Sequence, residues 1–236
     1  MLEFINYTKI YGNNKVGAKN ISLKVESGDI FAFIGHNGAG KTTTIKSVVG
    51  INDITSGDIL VDGISVKDNP MQTKKLIAYV PDNPDIYESL TGIQYINFVA
   101  DIFKVSLDKR KELTEKYADI FEIKNVLNSA ISTYSHGMKQ KLVLISALIH
   151  EPKLLILDEP FVGLDPKSSF ALKSLMIEFT ENGGAIFFST HVLEVAEKLC
   201  NKVAIIKNGE LIAEGTMAEI KKDSSLEKVF LELTNE

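Results

Sequence analysis

The feature that most constrains the fold is a glycine-rich octapeptide between an apolar run and a helix-like segment. Residues 35–42 read GHNGAGKT and match the pattern G-x-x-x-x-G-K-[ST]. The apolar run before it, residues 30–35, has the length of a strand that is buried on both faces. TTTIKSVVG after it predicts a short helix that ends at Gly50. The order strand, glycine loop, helix predicts an α/β core that binds phosphate.

The chemistry of phosphate binding explains the spacing of this loop. Several backbone N–H groups must converge on the anion, and glycines allow the chain to approach it closely. The positive end of the following helix adds to the attraction. We expect Lys41 to bridge the β- and γ-phosphates of a nucleotide and the Thr42 hydroxyl to bind Mg²⁺. The other expected nucleotide contacts in the loop are Asn37, Gly38, Ala39, Gly40 and Thr43. The alternative is a chance match on an ordinary turn.

A second motif delivers two carboxylates at the end of an apolar strand. Residues 154–159 read LLILDE, and open α/β sheets bind their ligands at such strand ends. We expect Asp158 to hold the Mg²⁺ shell through water and Glu159 to orient and polarise an attacking water. The alternative, a strand that merely ends in solvated acids, does not account for the phosphate loop upstream.

The rest of the chain alternates strands with helices and changes character in the middle. Residues 91–127 have helical spacing of apolar positions, with Thr91 and Asp108 as expected N-caps. The last third alternates strand and helix, with a hairpin turn at Asn208–Gly209. This pattern predicts a mostly parallel α/β core with an inserted helical subdomain.

Composition and charge exclude several classes of protein. With 44% apolar and 24% charged residues and one cysteine, the chain is neither a disordered tail nor a disulfide scaffold. The net charge of −5 gives no reason to expect a nucleic-acid partner. No signal-peptide pattern and no apolar run of about 18–20 residues is present, so we expect a cytoplasmic protein whose membrane role, if any, comes through a partner.

Further motifs give the chain a resemblance to the ATP-binding cassette (ABC) ATPases, which covers essentially its whole length. Residues 134–140, YSHGMKQ, stand where that family has its LSGGQ signature. Residues 163–166, GLDP, match its D-loop, and Thr190-His191 match its switch histidine. The resemblance implies the ABC-type P-loop NTPase fold in one domain, residues 1–236, with an N-terminal antiparallel sheet beside the mostly parallel one. The implied core lobe is residues 1–81 and 150–236, and the implied helical subdomain is residues 82–149.

The resemblance also implies roles for individual residues. Lys41, Glu159 and His191 are the expected catalytic residues, and Tyr11 is expected to stack on adenine, with Val16 beside the nucleotide. The alternatives are a strand-end tyrosine for Tyr11 and, for a lone histidine such as His191, a polar surface residue. The expected Mg²⁺ ligands are Thr42, Asp158 and Asp82. The signature residues expected to contact the γ-phosphate of ATP held by a second subunit are Ser135, His136, Gly137 and Met138.

Three departures from the family pattern stand out. Asp82 occupies the position of a glutamine, and aspartate is shorter and only accepts hydrogen bonds when it is ionised. His136 and Met138 replace a glycine and the glutamine of LSGGQ, whereas Ser135 and Gly137 are kept. Ser135 also has the pattern of a helix N-cap, which by itself requires no ligand.

By this resemblance the chain hydrolyses MgATP to ADP and phosphate as the nucleotide-binding subunit of an ABC transporter. It is expected to act as a homodimer or with a similar cassette, and to energise a separate membrane permease, with export favoured. It would then lie on the inner face of the membrane through the permease. Residues 82–91 are expected to couple the two proteins, with Ile86, Tyr87 and Leu90 lining a groove for a permease helix, unless they simply pack on the helical subdomain.

Other functions fit the sequence less well. A non-transport ABC-type mechanical ATPase that acts on DNA or ribosomes usually adds coiled coils, zinc modules or a second cassette. A GTPase requires an N-K-x-D run to recognise guanine, and the sequence has none. A small-metabolite kinase does not explain the signature and the switch histidine.

Overall fold

The chain divides into two compact units. The structure, a computed structural model, describes residues 1–234 apart from the side chain of Asn13. The first unit comprises Met1–Tyr79, Lys153–Pro160 and the described part of Met176–Glu236, and the second comprises Val80–Pro152 and Phe161–Leu175. Each unit is a group of residues that contact one another more than they contact the rest of the chain. The lobe boundaries expected from the sequence remain a prediction.

Strands and helices alternate along the chain as the sequence predicted. The strands are β1 (Leu2–Ile10), β2 (Val16–Val25), β3 (Ile30–Ile34), β4 (Ser56–Val61), β5 (Ile64–Ser65), β6 (Ile77–Val80), β7 (Leu154–Asp158), β8 (Ala185–Thr190), β9 (Lys202–Lys207) and β10 (Glu210–Thr216). The α-helices are α1 (Lys41–Val48), α2 (Pro70–Leu76), α3 (Gly92–Ile102), α4 (Leu107–Ile120), α5 (His136–Leu148), α6 (Pro166–Glu181), α7 (Leu193–Leu199), α8 (Met217–Lys221) and α9 (Leu226–Thr234).

A six-stranded sheet in the order β10-β9-β3-β8-β7-β6 carries the predicted motifs at one edge. Strands β9, β3, β8 and β7 are parallel neighbours, and β10 pairs antiparallel with β9. Every residue of β3, β7 and β8 is buried, which explains their continuous apolar sequences. Because Ile34 pairs with Thr190 and Asp158 pairs with Ser189, the carboxyl ends of these three strands lie at one level.

A second, antiparallel sheet in the order β2-β1-β4-β5 shares a hydrophobic core with the first. Phe187 of β8 lies at the centre of this core, with its ring centroid 5.8 Å from Phe4 and Phe31 and 5.2 Å from Phe33. Burial of one such side chain contributes roughly 1.5–3 kcal/mol. The core therefore fixes β8, the strand that runs between the glycine loop and the carboxylates.

The second unit contains the helices α3, α4 and α5. Thr91 caps α3 in a capping box with Gln94, as predicted. The prediction of Asp108 as the cap of α4 is wrong, because Ser106 accepts the N–H of Lys109 and Asp108 lies in the first turn. A carboxylate there interacts well with the helix dipole without capping the helix. Within residues 1–234, none of the helices combines the length and apolar character needed to cross a membrane.

Candidate functional site

The glycine loop between β3 and α1 adopts a backbone that side chains would disturb. Gly38 and Gly40 have positive φ angles of 82° and 114°. A Cβ atom on Gly40 would lie 2.4 Å from the carbonyl oxygen of Gly17, and one on Gly35 would lie 2.5 Å from that of Ile206. The loop thus passes close to β2 and β9, which explains why glycine is needed at these two positions.

Lys41, the first residue of α1, is buried against its own loop. Its Nζ donates to the carbonyl oxygens of Gly35 at 2.6 Å and of His36 at 3.3 Å. Burial lowers the pKa of Lys41 below its ordinary value, and the carboxylates of Glu159 and Asp158 oppose that shift. With Glu159 Oε1 at 3.8 Å from Nζ, the cation lies within reach of both the loop and the carboxylate pair.

The carboxylate pair at the end of β7 is held by the neighbouring strand β8. The buried Asp158 accepts a hydrogen bond from the hydroxyl of Ser189, and the N–H of Glu159 lies 3.2 Å from both oxygens of Ser189. Glu159 takes a left-handed backbone conformation with φ 49°, which turns its side chain out of the strand direction. The structure therefore brings Asp158 and Glu159 together through a serine that the sequence analysis did not single out.

His191 follows β8 and contacts Glu159. Its Nδ1 lies 3.0 Å from Glu159 Oε2, and its backbone N–H donates to the same oxygen at 3.3 Å. Glu159 is thus flanked by the imidazole on one side and by Lys41 on the other. The three residues expected to be catalytic lie together at the carboxyl ends of neighbouring strands.

The oxygen donors at these strand ends suit Mg²⁺. Thr42 offers a hydroxyl and Asp158 a carboxylate, and Mg²⁺ typically takes one or two protein oxygens together with nucleotide phosphates and water. Within residues 1–234 no group of three or more histidines, cysteines or acids is placed to hold a metal by itself. Asp82, the third expected ligand, belongs to the second unit, is exposed and accepts the N–H of Asn83 at 2.9 Å.

Tyr11 lies beside the glycine loop. Its hydroxyl is 3.1 Å from Thr43 Oγ1 and accepts a hydrogen bond from the Asn52 side chain at 3.1 Å. A Cβ on Gly17 would lie 2.7 Å from the ring, so the backbone of β2 passes close beneath it. Tyr11 is 37% exposed, which leaves room for stacking on a base. Val16, also exposed, begins β2.

The signature segment begins helix α5 in the second unit. Ser135 is its N-cap, as predicted, and its hydroxyl accepts the N–H of Met138 at 3.3 Å. A Cβ on Gly137 would lie 2.8 Å from the carbonyl oxygen of Gly163, and one on Gly163 would lie 2.5 Å from the His136 ring. The signature and the D-loop are therefore packed together, and His136 fills the space beside Gly163.

The sequence analysis did not predict three further residues that lie beside the loop or the carboxylates. Asn52 binds the hydroxyl of Tyr11, and Gly209, in the predicted hairpin turn, donates its N–H to the carbonyl of Ala39 at 2.8 Å. Ser189 precedes Thr190-His191, and its place at a strand end was the only signal that could have found it. Nothing in the local sequence marks Asn52 or Gly209 as neighbours of the loop.

Comparisons with known proteins agree with this arrangement. The sequence profile of the family described as ABC transporter matches residues 18–162. The ABC-type transporter ATP-binding protein EcsA of Bacillus subtilis (strain 168) is 35% identical over 241 residues, which span 100% of this chain and 97% of that protein.

Solved structures confirm the predicted fold class. One described as the structure of an ATP-binding subunit of an ABC transporter superposes with a TM-score of 0.95 at 33% identity, over 99% of both chains. The dimeric structure of a post-hydrolysis state of the ATP-binding cassette MJ0796 bound to ADP and Pi has a TM-score of 0.84 at 22% identity. It covers 92% of this chain and 99% of that one, and at this identity it supports the fold alone.

Proposed function

The chain belongs to the family of ABC transporter ATP-binding subunits, and we propose that it hydrolyses MgATP with the residues described above and energises export by a separate membrane permease. As a member of this family it is an ATPase that acts in transport. The observation that carries the proposed site is the convergence of Lys41, Glu159 and His191 at adjoining strand ends.

Each residue has a chemical task in this proposal. The loop N–H groups and Lys41 bind the β- and γ-phosphates, and Thr42 and Asp158 hold Mg²⁺, which supplies positive charge to the phosphate oxygens. Glu159 accepts a proton from the attacking water, and His191 contacts the γ-phosphate beside it. Tyr11 stacks on the adenine, with Val16 at its edge. Asp82 is proposed as a further contact to the Mg²⁺ shell.

A second cassette completes each site in this proposal. Ser135 and the first N–H groups of α5 form a positively polarised helix end, which suits a γ-phosphate. The phosphate loop already encloses one side of the nucleotide, so we assign the signature residues 135–138 to the ATP held by a partner cassette. By the family resemblance, we propose that the pair is arranged head to tail, either as two copies of this chain or as this chain with a similar cassette.

The experiment for the catalytic site compares Mg²⁺-dependent ATP hydrolysis by the wild-type chain and by Lys41→Ala. We expect both ATP affinity and turnover to be lost, because the variant removes the cation that lies against the loop carbonyls of Gly35 and His36. Lys46→Ala, on the same helix α1 and half-buried, is the matched control and should hydrolyse ATP like the wild type. Equal activity of wild type and Lys41→Ala would overturn the assignment.

We propose that residues 82–91, together with Phe98 of α3, form the contact with the permease. Tyr87 and Phe98 are 61% and 44% exposed and form an edge-to-face pair with centroids 5.7 Å apart. Aromatic residues are enriched at protein–protein interfaces. Tyr87→Asp and Leu90→Asp should leave ATP binding intact and weaken co-purification with the permease, whereas Leu107→Asp, at a 76% exposed leucine, should not. Normal binding and transport by the first two variants would refute this placement.

Export rests on the resemblance of the signature variant YSHGM to exporter subunits. The direction can be tested without knowing the substrate, by comparing small molecules in cells and medium for strains with wild-type or Lys41→Ala protein. Compounds that accumulate inside the mutant cells support export, and compounds depleted inside them indicate import. Association with the inner face of the membrane should require the permease gene, as fractionation of cells with and without it would reveal.

A further inference from the structure

The C-terminal helix α9 reaches the glycine loop through one aromatic contact. The ring of Phe230 lies 4.6 Å from the ring of His36, centroid to centroid, at an interplanar angle of 50°. Phe230 is only 6% exposed, whereas Leu231 and Leu233 on the same helix are 40% and 38% exposed. Of these three residues, the buried Phe230 is the one that packs on the loop.

His36 has a structural role in the loop through its backbone. Its carbonyl oxygen accepts the N–H of Ala39 at 3.1 Å, which closes the turn, and lies 3.3 Å from the Nζ of Lys41. A shift of His36 would therefore move both the turn that carries the N–H groups and an oxygen that positions the lysine.

Helix α9 is itself fixed at both ends. At its N-terminus the N–H of Leu226 donates to Glu197 Oε2 at 2.9 Å, and Glu197 also pairs with Lys221. At its C-terminus the carbonyl of Thr234 accepts the Nζ of Lys207 at 2.8 Å. Lys207 directly precedes the hairpin turn that binds Ala39. The helix thus spans from α7, which follows His191, to the strand beside the loop, and it is held firmly enough to fix Phe230.

We propose that Phe230 is a positioning residue for nucleotide binding, which holds the phosphate-binding loop in its binding conformation by packing on His36. This inference rests on the proposed function, because the loop must be the ATP site for its position to matter. Without the ring, His36 and the turn it closes gain conformational entropy, which is lost again when ATP binds and orders the loop. The expected cost therefore falls on ATP affinity, and turnover of bound ATP changes little because the phosphates then order the loop.

The test measures ATP dissociation constants and the KM and kcat of hydrolysis for three variants of the full chain. Phe230→Leu keeps an apolar side chain and should raise the dissociation constant and KM about five- to tenfold, with kcat within about twofold. Phe230→Tyr keeps the ring and should restore ATP affinity to within about twofold of wild type. Leu231→Ala, the next residue on the same helix, is the matched control. Circular dichroism ensures that the measurements are made well below each melting temperature.

The outcomes separate the inference from the proposed function. A wild-type chain that does not bind ATP refutes the proposed function. If the wild type binds ATP but Phe230→Leu has the same affinity, or if Leu231→Ala weakens binding as much, the positioning role of Phe230 is refuted.

Hydrogen exchange of the wild-type chain decides the question if Phe230→Leu does not fold. A non-hydrolysable ATP analogue with Mg²⁺ should slow exchange of the amides of residues 226–234, with the hairpin between β4 and β5 as the internal reference. Unchanged protection of α9 on binding of the analogue would overturn the proposal.

Discussion

Replacement of Glu159 by glutamine tests the chemistry proposed for the site most directly. The side chain is 15% exposed and lies between Lys41 Nζ at 3.8 Å and His191 Nδ1 at 3.0 Å. Glutamine has nearly the same shape, and its carbonyl oxygen still accepts the N–H of His191. The variant therefore removes one negative charge and one basic oxygen while it leaves the strand end in place.

The structure predicts opposite effects on hydrolysis and binding. Loss of a general base typically costs a factor of about 10²–10⁴ in rate, which corresponds to a barrier higher by about 3–5 kcal/mol. The carboxylate also attracts Lys41, by about 4 kcal/mol for unit charges roughly 4 Å apart at an effective dielectric constant of about 20. A phosphate at the loop would compete for that cation. Glu159→Gln removes the competitor, so we expect ATP to bind at least as tightly as to the wild type.

Single-turnover hydrolysis and equilibrium ATP binding measure the two effects separately. Gel filtration with saturating MgATP should also show the variant accumulating as a dimer, because ATP held between two cassettes is no longer consumed. Glu194→Gln makes the same chemical change at an exposed glutamate paired with Lys198 and should behave like the wild type. A Glu159→Gln variant with more than a tenth of the wild-type rate, or without ATP binding, would contradict the assigned role.

Three further variants test the loop, the signature and the D-loop. Gly40→Ala places a Cβ 2.4 Å from a backbone oxygen, at a position whose φ of 114° disfavours a side chain. The ATP affinity measured by calorimetry should therefore fall at least about tenfold. Gly12→Ala, whose Cβ would have nothing within 4 Å, should not change it. Ser135→Ala should lower the free energy of unfolding in urea by about 1 kcal/mol and reduce ATP-dependent dimer formation; an unchanged dimer would contradict the signature's role. Asp165→Ala should cost about 1 kcal/mol at neutral pH, because Asp165 caps α6 through Ser168. Hydrogen bonds from Ser168 and Lys141 hold the pKa of Asp165 below its ordinary value of 3.8. The stability that Asp165 adds is therefore complete above pH 3.8, and the difference in unfolding free energy between wild type and variant should shrink as the pH falls below that value. A difference in urea unfolding that does not depend on pH would contradict this.

The motifs were predictable because each is a short local pattern next to a strand or helix that the spacing of apolar residues indicates. The buried run before the glycine loop and the apolar run before Asp158 each form a strand whose residues are all buried. The signature serine caps a helix as its sequence indicates. Local chemistry therefore identified the residues at the strand ends without knowledge of which strands are neighbours.

Short or irregular elements were not predictable in the same way. Helix α2, with seven residues after Asn69, is too short for a helical period to be seen and was missed. In the first two strands apolar and polar residues alternate only loosely. The cause is that Asn6 and Asn20 have positive φ angles of 47° and 50° and that the β1–β2 register shifts between Phe4 and Tyr7. Such a bulge moves later side chains to the other face and breaks the period of two.

The order of strands in the sheet explains why the residues that hold the carboxylates were harder to predict than the carboxylates themselves. Along the chain the loop comes first, the carboxylates second and His191 last, but in the sheet β8 lies between β3 and β7. The last of these three strands along the chain therefore pairs with both of the others, and residues at its end hold the carboxylates, because Ser189 binds Asp158 and His191 contacts Glu159. A change at the end of β8 should consequently disturb Asp158 and Glu159 together, whereas Lys41, with Nζ 3.8 Å from Glu159 Oε1, links the glycine loop to the same carboxylate directly.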